Sequence, residues 1–269
     1  MHTLARTYRA RYPLIAALLL IAAVERAPLH AQYVPPAGEW EQRQPAQVGL
    51  GPAAVQAAIA FAIENESSGS RDLAANHTRT FGREPHGEAV GPFRERGDPA
   101  GIIIRNGYIV AEWGDPHRVD MTFSVTKSFL SSTVGVAFDR GLIADLDEPV
   151  REYMAPVVTY PEQEVIEPFE SPQNRRVTWD HLLRQTSDWE GTLWGKPDWA
   201  DRPRGDIEEW KVRPRNEPGS VYTYNDVRVN ALALAALNVW RRPLPQVLRE
   251  YVMDPIGASA TWRWYGYDS

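Results

Sequence analysis

The sequence predicts a mixed α/β domain built on one β-hairpin and four or five helices. The segments Gly101-Ile-Ile-Ile-Arg105 and Tyr108-Ile-Val-Ala-Glu-Trp113 are rich in β-branched and aromatic residues. They flank Asn106-Gly107, the dipeptide that best supports a two-residue hairpin loop. Two longer stretches, Met121 to Arg140 and Val227 to Trp240, carry the apolar spacing of helices. The chain has 269 residues, 43% of them hydrophobic and 24% charged. That mix supports a buried core and excludes a disordered, collagen-like or coiled-coil chain.

The elements follow in order. Arg6, Arg9 and Arg11 precede the apolar run Pro13 to Val24, and Leu29-His30-Ala31 offers a small residue for cleavage. This is the pattern of a secretory signal over residues 1–31. The apolar run falls short of the ~20 residues of a membrane span, so no stable membrane insertion is expected after cleavage. The expected location is periplasmic or secreted. Residues 32–99 form an N-terminal leader, helix and loop: 32–48 are rich in Pro and Gln, Gly51 to Glu64 reads as a helix with Pro52 in its first turn, and 65–99 read as a polar loop. Residues 100–269 hold the hairpin and then the Met121 to Arg140 helix, with Gly141 where a C-terminal cap belongs. Thr178 to Arg184 reads as a short helix and 186–217 as a long ordered loop. After the Val227 to Trp240 helix, Pro245 to Met253 reads as another short one, ended by Pro255 and Gly257.

Composition removes several function classes. A net charge of −6 gives a nucleic-acid partner no electrostatic support. The absence of cysteine excludes disulfides, thiolate metal sites and cysteine catalysis. The histidines show no paired metal-ligand spacing, His181 reads as structural, and no cofactor is implied. Arg-Gly-Asp at 96–98 and 204–206 reads as coincidence in an Arg-rich chain. Lysine is scarce, occurring only at 127, 196 and 211, so each one merits separate attention.

The sharpest chemical signal is Phe123-Ser124-Val125-Thr126-Lys127, a Ser-x-x-Lys pattern opening an apolar helix. Residues three apart share a helix face, so the amine of Lys127 can meet the hydroxyl of Ser124. Serine needs a base to become a nucleophile, and a helix N-terminus favours negative charge developing nearby. The second signal is Pro218-Gly219-Ser220-Val221-Tyr222-Thr223-Tyr224-Asn225-Asp226 ahead of the second long helix. A tyrosine near a cation can shuttle protons. The plainer alternative is a turn in which Asn225 or Asp226 caps the helix. Trp179, Trp189, Trp194, Trp199 and Trp210 crowd one region. They read either as an aromatic wall for substrate, with Trp189 and Trp194 its substrate-binding members, or as rings that pack a long loop.

These segments together resemble the serine beta-lactamase and penicillin-binding-protein superfamily, closest to the class C beta-lactamase, esterase and 6-aminohexanoate-dimer hydrolase branch. The resemblance rests on GIIIRNGYIVAEWG, FSVTKSF, VTWDHLLRQTSDWEG and PGSVYTYNDVRVNAL, in that order over about residues 100–260. It implies a beta-lactamase-like fold, an antiparallel sheet flanked by helices plus a mostly helical subdomain. It also implies a serine hydrolase that cleaves a small-molecule amide or ester. Ser124 would be the acylated nucleophile, Lys127 would take or relay its proton, and Tyr224 would protonate the leaving group. Asn225 and Asp226 would lie in the substrate-binding segment, and the Ser124 N–H would supply half of an oxyanion hole. Gln185 and Asp188 replace the family's usual His and Gly. Asp226 stands where an Asn is usual, and a carboxylate there favours a charged Lys127 if the two are close.

A lone hairpin is not independently stable, and no partner strands are evident after it. The family's Lys-Thr-Gly or His-x-Gly strand is not found either. Both readings expect a hydrolase domain whose C-terminal sheet strands are missing. Two rivals to an active enzyme follow: a non-catalytic remnant or binding protein of the same fold, and a cell-wall-binding module that uses the tryptophan loop.

Overall fold

The computed structural model describes residues 33–88, 91–158 and 163–266. The signal expected over residues 1–31 lies outside them. Helix α1 (Pro52–Glu64) starts with Pro52 in its first turn, where the missing N–H is no loss. Helix α2 (Leu73–Phe81) corrects the sequence reading of 65–99 as a loop. Asp72 caps it by accepting the Ala75 N–H at 3.0 Å, and His77 packs against Phe81 and Phe93. Only Leu73 is buried on this helix, so its apolar spacing gave little signal.

Strands β1 (Gly101–Arg105) and β2 (Tyr108–Trp113) pair antiparallel as expected, with a register shift between Ile103 and Ile104. Asn106 and Gly107 have φ of 53° and 85°, the two left-handed positions that this loop requires. The leader joins the edge of β2: Arg43 N–H donates to Ile109 O and Ile109 N–H to Glu41 O. Among the described residues no further strand pairs with β1, and Ile102 and Ile104 stay exposed.

A short 3₁₀ turn, Phe123–Val125, leads into α3 (Thr126–Asp139). Gly141, at φ 72°, ends it: Leu142 N–H reaches Ala137 O and Gly141 N–H reaches Phe138 O, the paired bonds of a Schellman cap. The two-residue strands β3 (Val157–Val158) and β4 (Val165–Ile166) pair, and α4 (Trp179–Leu183) follows with Thr178 as its cap. His181 Nδ1 accepts the Thr178 N–H, so this histidine serves the helix start. Within 186–217 the loop contains a small hairpin of β5 (Thr192–Leu193) and β6 (Lys196–Pro197), and α5 (Ile207–Lys211). The segment ends at α6 (Asp226–Trp240), then α7 (Leu244–Leu248) and a π turn over Arg249–Met253.

Helices α3, α4, α6 and α7 build the core. Leu130, Val134 and Ala137 of α3 pack with Trp179, Leu182, Ala231, Ala235 and Val247. The indole N–H of Trp240 donates to Thr133 O at 3.1 Å and ties α6 to α3 across this core. That packing sets the N-terminal ends of α3 and α6 side by side, where Lys127 and Asp226 meet. Both Arg-Gly-Asp copies are engaged within the fold. Asp98 pairs with Arg71, Gly97 N–H donates to Asp120, and Asp206 caps α5. Among the described residues no helix is long and apolar enough to cross a membrane.

Candidate active site

The backbone presents Ser124 before any side chain acts on it. Phe123 holds φ at 47°, a left-handed conformation that costs a side-chain-bearing residue about 1–2 kcal/mol. The strained residue lies directly ahead of Ser124, which sits exposed in the 3₁₀ turn at the mouth of α3. Lys127 follows in the first turn of that helix.

Tyr224 comes from the extended segment before α6, and Gln185 holds that segment from both sides. Thr223 N–H donates to Gln185 O and Asn225 N–H donates to Gln185 Oε1, each at 2.9 Å. Gly219, at φ 90°, turns the chain beneath His181. A Cβ there would come within 2.7 Å of the His181 ring, so only glycine fits.

These elements bring three functional groups together. Ser124 Oγ lies 2.6 Å from Tyr224 Oη. The Lys127 ammonium donates to Ser124 Oγ at 3.1 Å and also faces the Tyr224 ring, 4.9 Å from its centroid. Asp226 completes the cluster, with Oδ1 2.7 Å from Lys127 Nζ. Its other oxygen, Oδ2, accepts from Arg202 Nη1 at 3.0 Å. The condition for a charged Lys127 is therefore met. Burial pulls the Lys127 pKa down, but Asp226 and Tyr224 outweigh burial and raise it above its ordinary value. Burial pushes Asp226 up, while Lys127 and Arg202 outweigh it and hold the carboxyl below its usual range.

A second layer of charge lies behind this group. Arg202 Nη1 donates to both oxygens of the buried Asp201 at 2.8 Å, and its guanidinium faces the Tyr224 ring at 4.7 Å. Asp201 Oδ2 also accepts the Asp226 N–H at 2.6 Å. Lys196 reaches Asp201 and Glu84, each at 3.7 Å. Arg202, Asp201 and Glu84 carried no signal in the sequence, because they come from two loops with no motif of their own.

Residues 90–264, more than half of the chain, match the family model described as Beta-lactamase. The chain belongs to the beta-lactamase family. No curated protein matches it. The fold is accordingly of the serine-hydrolase type, and the departures from the usual beta-lactamase-family segments acquire structural roles. Gln185 clamps the Tyr224 segment, as described above. Asp188, buried at 2% exposure, anchors the following loop. It accepts from Arg213 at 2.5 and 2.9 Å and from Asn216 N–H at 2.7 Å, and it pairs with the buried Arg228 at 2.5 Å. Burial alone would raise its pKa, but these partners hold it at about 2.

Two residues expected to bind substrate lie inside the fold. Asn225 is buried and spends its side chain inside the fold: Oδ1 accepts the Arg228 N–H at 3.0 Å and Nδ2 donates to Asp198 O at 2.8 Å. It is the cap of α6, the plainer of the two readings. Trp189 is 1% exposed, packs on Phe169, and donates its indole N–H to Pro168 O at 2.8 Å. It is a core residue and offers no wall to a ligand. Trp179 is buried likewise, and Trp210 donates to Trp199 O. Most of the tryptophan crowd therefore packs the loop. Trp194 differs: it stands at the tip of the β5–β6 hairpin and remains 37% exposed. Two surface concavities lie elsewhere, one against Gln42 to Gln47 and β2, the other against Arg242 to Trp264, and neither includes Ser124.

Proposed function

We propose that this chain is a serine hydrolase that cleaves a small amide or ester through an acyl-enzyme on Ser124. The observation that carries this reading is the triangle of hydroxyl, phenol and ammonium, with Ser124 Oγ 2.6 Å from Tyr224 Oη and 3.1 Å from Lys127 Nζ. An exposed hydroxyl at a helix mouth, in contact with two proton-transfer groups, is the arrangement that nucleophilic catalysis needs.

The reactive form of the Ser124–Lys127–Tyr224 set carries one proton fewer than the fully protonated set. Ser124 Oγ attacks the carbonyl carbon while its proton passes to the Tyr224–Lys127 pair. The carbonyl oxygen takes up the negative charge, with the Ser124 N–H as one donor to it. The tetrahedral intermediate collapses, the C–N or C–O bond breaks, and Tyr224 Oη returns the proton to the departing amine or alcohol. Water then attacks the acyl carbon by the reverse sequence and frees Ser124. The raised proton affinity of Lys127 makes this active form scarce at low pH, so the rate rises toward alkaline pH.

The preferred substrate class is the linear amide of the 6-aminohexanoate-oligomer type, ahead of small esters and beta-lactams. The fold hosts all of these, so the choice rests on resemblance. The protein acts after export, in the periplasm or outside the cell. Labelling with a fluorophosphonate tests the nucleophile: wild type is expected to take one label, and Ser124→Ala none. Labelling that survives this substitution would sink the Ser124 assignment, and a wild type that takes no label would leave the non-catalytic rival standing.

A further inference from the structure

Arg202 is the one cation other than Lys127 seen to touch both Asp226 and Tyr224 among the described residues. Its Nη1 bridges Asp201 and Asp226 while its guanidinium covers the Tyr224 ring. Phe81 of α2 supports it from the N-terminal part, 5.5 Å from the guanidinium carbon. The backbone at Arg202 is held at φ 50°, so a strained residue is kept in place by these contacts. We propose that Arg202 is a positioning residue for the Ser124 reaction: it draws the Asp226 carboxylate into a bridge between two cations, so that Lys127 does not hold that charge alone, and it fixes the Tyr224 ring beside Ser124. This inference rests on the serine-hydrolase reading.

The electrostatic sense follows from the charges around Lys127 and Tyr224. Asp226 is the carboxylate against Lys127, and Arg202 is the opposing cation. Behind Arg202 stand Asp201, Lys196 and Glu84. Removing the Arg202 charge leaves Asp226 wholly to Lys127 and so holds the proton more tightly on Lys127. A neutral residue at 202 therefore moves the acid limb of the rate profile to higher pH. A lysine there keeps the charge and largely keeps the limb.

The test is the second-order rate of fluorophosphonate labelling at Ser124, followed from acid to alkaline pH. Wild type, R202M, R202K and Ser124→Ala are compared at a temperature well below each melting point. R202M is expected to shift the acid limb upward by about one pH unit, which slows labelling below the limb about tenfold, while R202K stays within a few tenths of wild type. R202Q keeps a polar head beside Asp201 and answers the same question if R202M melts too early. Normal labelling at Ser124 with an unmoved limb in the neutral variants overturns the positioning role alone. A wild-type chain that takes no label, or an S124A chain that labels equally, overturns the acyl-enzyme reading beneath it.

Discussion

Asp226→Asn puts a neutral amide where this chain holds a carboxylate. In the folded protein Asp226 Oδ1 lies 2.7 Å from Lys127 Nζ, and the two side chains are 39% and 24% exposed. Coulomb's law at that separation, with the effective dielectric of about 20 typical of pairs near a protein surface, gives an upper bound of about 6 kcal/mol. Sharing of Asp226 with Arg202 and screening by solvent reduce this, leaving about one pH unit. The sign is fixed by the chemistry. Asp226 stabilises the ammonium, so its removal lowers the proton affinity of Lys127 and moves the acid limb downward. At a neutral pH below the wild-type limb, D226N is expected to label with fluorophosphonate about tenfold faster than wild type, with the gain vanishing on the alkaline plateau. The melting temperature should fall only slightly, because exposed pairs contribute little. A limb that stays in place, or moves to higher pH, would refute the claim that Asp226 governs the charge on Lys127.

Other expectations test separate parts of the structure. Tyr224→Phe removes the hydroxyl 2.6 Å from Ser124 Oγ and should cut the acylation rate about 10²–10⁴-fold while leaving thermal unfolding nearly unchanged. Asp188→Asn breaks the buried contacts with Arg213 and Arg228 and should cost about 3–5 kcal/mol in denaturant unfolding. The carboxyl of Asp188 is held at about 2, below its unfolded value. Its stabilising effect, about 2 kcal/mol, is thus full above the unfolded pKa and fades as pH falls toward 2, which acid titration of the wild-type fold should show. Asn225→Ala removes the α6 cap and should lower stability by about 1–2 kcal/mol, with no selective loss of substrate affinity in the folded protein. A raised KM at unchanged stability would restore a substrate contact to Asn225.

The parts of this molecule legible in its sequence are those written in local chemistry. Asn106-Gly107 supplies two left-handed positions in succession, and the hairpin forms there. Ser124 and Lys127 lie one helical turn apart, and their contact follows from that spacing. Tyr224 precedes an apolar helix whose packing on α3 carries it to Ser124. The parts that stayed hidden depend on distant segments meeting. Helix α2 was lost in a polar stretch because its stability comes from one cap and a few ring contacts. Trp189 looked like any other tryptophan of its loop until Phe169 and Pro168 closed over it. Arg202 had no local signal, since Asp201, Asp226, Tyr224 and Phe81 give it meaning only once the loop folds. Asp188 read as a departure from a family pattern, and its role emerges from Arg213 and Arg228, which lie 25 and 40 residues further on.

The most direct test of the central claim is the mass of the protein caught during turnover of an activated ester, followed by peptide mapping of the modified residue. The account predicts an added acyl group on the peptide that contains Ser124, formed faster as pH rises and absent in Ser124→Ala. An unmodified chain under those conditions, or an acyl group mapped to another residue, would contradict it.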